Sequence, residues 1–140
     1  MQWADAPHGG FSPEGVPPWL PVNPNYTQGV NVADQEGDPA SLLSFYRQLL
    51  ALRRATPALV IGGYAPVDKN AKDYLAFTRS TPDQMVLVTL NFSDLPQTLA
   101  LSLPHPQARL LFSSMERPAQ TIDLAQLELA PFEVAIAELQ

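Results

Sequence analysis

Two spacings of apolar residues divide the chain. Leu42, Leu43, Phe45, Tyr46, Leu49, Leu50 and Leu52 recur three and four apart, the interval that gathers residues on one side of a helix. Asp38-Pro39 offers an N-cap side chain followed by a proline suited to a first turn, and Thr56-Pro57 offers a stop, so a helix is predicted from Asp38 to about Arg54. Its apolar positions fall on two rows, 42/45/49/52 and 43/46/50, wider than one buried face needs, which predicts two covering partners. Arg53 and Arg54 in the last turn complement the helix dipole.

After Pro57 the period becomes two. Val86, Val88, Leu90 and Phe92 share one face of a predicted strand starting at Met85, and Leu99, Leu101 and Leu103 alternate with Thr98, Ala100 and Ser102. Further strands are predicted at Leu59–Val67, Tyr74–Ser80, Arg109–Ser113, Ile122–Leu129 and Phe132–Leu139, the last with Phe132, Val134 and Ile136 inward. About seven short strands separated by turns imply an antiparallel β-sandwich. No glycine follows Gly63, so the hairpin from Ser80 to Gln84 must turn on Thr81-Pro82-Asp83, with proline presetting φ.

The first 39 residues show neither period. They hold seven of the 15 prolines and five of the seven glycines, and so read as a long loop. Trp3, Phe11, Trp19, Leu20 and Tyr26 make it too apolar for a solvated linker, so it is expected to be ordered and to pack on something.

Composition narrows the function classes. With 140 residues the chain suffices for one ordinary domain, while a (β/α)₈ barrel needs roughly 250. No apolar run approaches the ~20 residues that span a bilayer. A net charge of −6 disfavours nucleic acid and anionic lipid as partners. The absence of cysteine rules out disulfides and thiolate zinc sites, and with no signal-peptide pattern at the N-terminus a cytoplasmic location is expected. Two glycosylation sequons, Asn25-Tyr26-Thr27 and Asn91-Phe92-Ser93, are read as coincidence.

Met1-Gln2-Trp3, then Ala6-Pro7-His8-Gly9-Gly10-Phe11-Ser12, then Pro18-Trp19-Leu20-Pro21-Val22-Asn23-Pro24-Asn25-Tyr26 resemble, in order and spacing, the segment after the eighth barrel strand of α-glucosidases and oligo-1,6-glucosidases of the α-amylase superfamily. The likeness continues through Phe45-Tyr46-Arg47-Gln48-Leu49-Leu50-Ala51-Leu52-Arg53, similar to the last barrel helix, to Asn91-Phe92-Ser93 and Leu129-Ala130-Pro131-Phe132-Glu133 in the closing sandwich. It implies a mostly β chain in which residues 1–57 are the last loop and helix of a (β/α)₈ barrel and residues 58–140 a C-terminal β-sandwich. In that family the methionine is internal, so the resemblance implies a truncated chain, a fragment of a longer enzyme.

The implied parent is a retaining glycosidase that cleaves terminal α-glucosidic bonds of small α-linked glucose oligosaccharides. Such enzymes set a nucleophilic carboxylate and a carboxylic acid about 5.5 Å apart. In the family these and a third carboxylate come from barrel strands that have no counterpart here, so no catalytic residue is assigned and the chain alone is expected to be inactive. The resemblance extends to trehalose synthases and sucrose isomerases, and to non-catalytic transporter ectodomains. A free-standing carbohydrate-binding or interaction module is the alternative of a different class.

Individual residues add little chemistry. Asp5 and His8 form an acid/base pair in type only, and a turn role is expected for both, as for His105 between two prolines. Asp34, Glu36 and Asp38 cluster, but a calcium loop supplies six to eight oxygens in a fixed pattern, so neither metal nor cofactor is expected, and Asp38 is assigned to helix capping. Glu128, Glu133 and Glu138 read as the solvated face of strands. Sugars stack their C–H faces on aromatic rings, which makes Trp3 and Phe11 the candidates for substrate-binding rim residues, with packing beneath the loop as the other reading. An N-terminal segment left without its barrel would also expose apolar surface and is expected to self-associate.

Overall fold

A computed structural model describes residues 1–115 and 117–140. They form two compact units, Met1–Ala51 and Leu52–Gln140, the division falling inside a helix. In the first unit the expected loop is folded into short turns. Prolines open two of them, the 3₁₀ turns Pro7–Gly10 and Pro24–Gln28, where the fixed φ of proline suits a first helical position. A single-turn helix, α1 (Val32–Glu36), follows Asn31, whose side chain accepts from Asp34 N at 2.9 Å.

Helix α2 runs from Leu42 to Ala55, beginning later than Asp38. The Asp38 carboxylate is taken by Ala40 N (2.9 Å), which closes a turn around Pro39, and Ser41 caps the helix instead, its Oγ accepting from Ser44 N at 3.2 Å. No residue of α2 is buried. Leu42, Tyr46 and Leu50, four apart, are exposed, whereas Leu43, Phe45, Leu49 and Leu52 are half-buried. The exposed row is therefore 42/46/50, which takes residues from both predicted rows.

The second unit corrects the first predicted strand. Pro57 both stops α2 and opens α3 (Pro57–Ile61), which Gly62 N closes onto Ala58 O at 3.0 Å. A Cβ on Gly62 would stand 2.4 Å from Ala58 O and 2.9 Å from Ser80 N, so only glycine fits. Four residues are left for strand β1 (Gly63–Pro66). After it come β2 (Tyr74–Ser80), β3 (Met85–Asn91), β4 (Gln97–Leu99), β5 (Gln107–Ser113), β6 (Thr121–Asp123), β7 (Leu127–Leu129) and β8 (Val134–Leu139). The β2–β3 hairpin closes on the expected turn, Thr81 N donating to Gln84 O at 2.9 Å.

Six strands form an antiparallel sheet in the order β1-β2-β3-β8-β5-β6, and β4 pairs with β7 as a separate layer. Leu87, Ala108, Leu110, Ala135 and Ala137 on one sheet face pack with Leu99, Leu101, Leu124, Leu127 and Leu129 from the second layer. This is the antiparallel sandwich that the alternating pattern implies. The predicted strand Ile122–Leu129 is two strands in different layers, because Asp123 caps Ala125 N at 2.8 Å and a 3₁₀ turn, Leu124–Gln126, carries the chain across. For the same reason β4 ends at Leu99, while Leu101 stays in the core and gives its N–H to Leu124 O.

Two readings at the closing turn are overturned. Glu133 is fully buried, not solvated: Oε2 accepts from the Arg117 guanidinium (2.7 Å) and from Ala130 N (2.7 Å), and Oε1 from the Ser113 hydroxyl (2.6 Å). That carboxylate draws the chain back on itself three residues later, and Phe132, between, takes φ 56° and points outward, 62 % exposed. Beside it the Asn91 amide donates to Leu95 O (2.8 Å) and Ala130 O (2.9 Å), so this sequon asparagine is a buried brace.

Removing one partner of a buried pair leaves the other uncompensated. Arg117→Ala is expected to cost roughly 3 kcal/mol, read as a lower urea midpoint with unchanged slope; a loss under about 1 kcal/mol, the range of exposed pairs, would refute the role given to Glu133.

Candidate functional site

The first unit concentrates aromatic surface, and its hydrogen bonds explain how. Gln2 is buried; its carboxamide donates to Asn23 O (2.8 Å) and Asn25 Oδ1 (3.1 Å), tying the start of the chain to the second turn. Its carbonyl accepts from Val32 N at 2.9 Å. Asn31, with no exposed surface, donates to Tyr26 O (2.9 Å) and Asp34 Oδ2 (2.6 Å). Gly9, at φ 64°, closes the other side: a Cβ there would lie 2.9 Å from Gln2 Cγ, and its carbonyl accepts from Trp3 N at 2.8 Å.

This frame displays rings rather than covering them. Trp3 is 58 %, Phe11 52 % and Trp19 92 % exposed. Phe11 and Trp19, with Leu20 and Val22, line a half-open groove of about 650 Å³ to which Gln2 and Asn23 add polar edges. Trp3 does not line it. The two predicted rim residues are thus both at the surface of the unit, but only Phe11 joins the groove. Trp19, between Pro18 and Leu20-Pro21, is a further exposed ring of this unit that lines the groove.

The other candidates are absorbed by local structure. Asp5 is exposed and His8 sits in a turn at φ 56°, with no hydrogen bond between them among the described residues. Asp34 bonds Asn31, Glu36 pairs with Arg47 at 2.9 Å, and Asp38 closes its own turn. Among the described residues no group of three His, Asp or Glu could hold a metal ion. Carboxylates with displaced acidity lie in the second unit. The Tyr74 hydroxyl, 2.7 Å away, holds Asp68 below the usual range and is itself pushed up to about 12 by that carboxylate. Gln84 and then Arg109 do the same for Glu138. Each is a neighbour-to-neighbour pair on the sheet or its connections.

Residues 1–62 match the α-amylase catalytic domain family, and residues 66–136 match the maltogenic amylase C-terminal domain family. The chain belongs to the α-amylase family. It corresponds to the C-terminal region of an α-glucosidase-type member. An oligo-1,6-glucosidase of Parageobacillus thermoglucosidasius is 29 % identical over 100 % of this chain and 25 % of its own length. One from Halalkalibacterium halodurans is 32 % identical over 97 % of the chain and 24 % of its own. The crystal structure of the trehalulose synthase MutB from Pseudomonas mesoacidophila MX-45 matches with a TM-score of 0.83 at 38 % identity, covering 99 % of this chain and 24 % of that one. The chain spans about a quarter of the length of the curated relatives it matches. The family's tail in this chain is thus a braced loop, a helix and a sandwich.

The left-handed backbone at Gly9 is worth about 1–2 kcal/mol against an L side chain, before its clash with Gln2 is counted. Gly9→Ala is therefore expected to speed amide exchange at Trp3, whose N–H bonds Gly9 O, and to leave strands β3 and β8 protected. Unchanged exchange at Trp3 would show that Gly9 does not clamp the loop.

Proposed function

We propose that this chain is the non-catalytic end of a retaining α-glucosidase-type enzyme whose substrates are small α-linked glucose oligosaccharides. Residues 1–57 would be the last loop and helix of its (β/α)₈ barrel and residues 58–140 its C-terminal sandwich. One observation carries this reading: loop, helix and sandwich follow one another in the family's order along the chain, with matches at residues 1–62 and 66–136. Trp3 and Phe11 are the rim residues in this reading, their rings exposed by a loop that Gln2 and Gly9 brace. A cysteine-free sequence supports a cytoplasmic setting. A second reading, the tail of a sucrose-converting isomerase, is favoured by the 38 % identity to a MutB variant solved with the substrate sucrose, at a TM-score of 0.86.

In this reading the catalytic carboxylates come from other strands of the parent's barrel, so the purified chain is expected to release no chromophore from a chromogenic α-glucoside. Turnover abolished by replacing any one Asp or Glu would overturn the non-catalytic assignment.

The same reading makes the exposed 42/46/50 row of α2 a face that seeks cover, and self-association through the N-terminal segment follows. Each such side chain gains on the order of 1.5–3 kcal/mol on full burial. Light scattering is expected to show mass rising with concentration, and Leu50→Lys to suppress the rise; a wild-type monomer at every concentration would remove this part of the proposal.

A further inference from the structure

We propose that Glu138 is a positioning residue that acts through Gln84: its carboxylate turns the Gln84 carboxamide oxygen toward Ala58 N and so holds α3 on the sheet, and protonation of Glu138 releases that hold.

The need for such a hold lies in α3 itself. A five-residue helix does not sustain itself, and its first N–H groups have no partner within it. Pro57 has no N–H to satisfy, and the Thr56 side chain makes no capping hydrogen bond. Ala58, fully buried, is thus the first donor that must be met. Gln84 meets it from the β2–β3 hairpin, its Oε1 accepting at 3.0 Å. Helix α3 falls in the part of the chain that matches the catalytic domain family, and Gln84 in the part that matches the C-terminal domain family. This hydrogen bond therefore crosses the seam between the two.

A carboxamide has a donor end and an acceptor end of nearly the same shape, so Gln84 reversed would set its NH2 group against Ala58 N–H, donor against donor. The Glu138 carboxylate decides between the two. Ionised, it only accepts: Oε1 takes a hydrogen from Gln84 Nε2 at 2.7 Å, and Oε2 takes one from Arg109 at 2.5 Å. The Gln84 oxygen is then left facing Ala58. A protonated carboxyl keeps its acceptor on Arg109 and offers a hydroxyl toward Gln84, which favours the reversed carboxamide and leaves the buried Ala58 N–H unmet. Gln84 and then Arg109 hold Glu138 below the ordinary glutamate range. A carboxylate shifted that way contributes its stability at neutral pH and loses it as pH falls through the lowered value. Arg109 is the charge that faces Glu138 from β5. Opposite it β3 presents Val86, α3 carries no ionisable side chain, and Asp83 beside Gln84 is exposed. Arg79, opposite Val86 on β2, gives its Nε hydrogen to Gly62 O at 3.0 Å and stays charged in acid, so the far end of α3 keeps its tie.

Amide exchange of the whole chain is followed by nuclear magnetic resonance from about pH 7 to about pH 3, as protection relative to the unstructured rate. Protection of Ala58 N is expected to fall roughly tenfold in acid while β3 and β8 stay protected. Loss at Ala58 and in both strands together would mean global acid unfolding and would overturn the proposal. At neutral pH, Glu138→Gln is expected to give the same loss at Ala58 without acid: the new carboxamide turns its oxygen to Arg109 and its NH2 group to Gln84, which reverses. Adding Gln84→Glu places there a carboxylate that accepts from both sides, so the double variant is expected to recover Ala58 protection to within about threefold of wild type. Full protection of Ala58 in Glu138→Gln, or no recovery in the double variant, would overturn the positioning role. If Glu138→Gln does not fold, the wild-type acid series decides.

Discussion

Strands β3 and β8 are apolar on both faces, and that constraint organises everything around them. Leu87 and Ala137 pair on one face, Val88 and Ile136 on the other, and all four are buried. A sheet whose central strands read as a nearly continuous apolar run must be covered twice. The β4–β7 layer with Leu101 and Leu124 covers the first face. On the second, α3 lies against β2 and β3: Ala58 is fully buried, its N–H bonds the Gln84 side chain (3.0 Å), and Gln84 in turn reaches Glu138 on β8 at 2.7 Å. The helix that the sequence disguises as a strand is thus one of the covers the sheet demands, and Gly62 allows the close approach between them.

Double coverage also explains why the sandwich tolerates a buried charge. Where β8 begins, the chain must leave β7 and enter the centre of the sheet within a few residues. Glu133 supplies the acceptors for this turn, binding Ala130 N, the Ser113 hydroxyl and the Arg117 guanidinium at once. A carboxylate buried among apolar strands is tolerable only when its lone pairs are met this fully. The left-handed Phe132 is the accompanying cost, of order 1–3 kcal/mol for a non-glycine residue, and such strain persists only where the surroundings over-determine it. Asn91, bonded to both Leu95 O and Ala130 O, is part of that surrounding frame.

How far the sequence could be read depended on whether a pattern was local. Periodicity located α2 and the long strands β2, β3 and β8 closely, because burial of alternate or fourth residues is written directly into the chain. The proline hairpin at Thr81-Pro82-Asp83 was legible for the same reason. Leu59–Val67 was not: Pro-Ala-Leu-Val-Ile is short, apolar and β-branched, and only the contact of Ala58 and Gly62 with the sheet decides for a helix. Glu133 was misread because an acidic residue next to alternating apolar ones looks solvated, and its partners Ser113 and Arg117 are 20 and 16 residues away. Family likeness singled out Trp3 and Phe11 in the N-terminal loop. The groove that instead joins Phe11 to Trp19 depends on how two turns fold back on Gln2.

The loop and the sandwich solve opposite problems with similar means. In the sandwich, buried polar side chains, Glu133 and Asn91, let a turn enter the core and then vanish from the surface. In the loop, Gln2 and Asn31 are equally buried, but the unit has too few aliphatic residues to enclose its own aromatics, so the polar brace holds the backbone while the rings remain outside. Pro17, Pro18 and Pro21 fix φ along the segment that carries Trp19, and the Ser12 hydroxyl donates to Val16 O before it. A ring held out in this way keeps its apolar faces available at little entropic expense, which is the physical condition that any ligand relying on stacking, with few hydrogen bonds to spare, requires of its site.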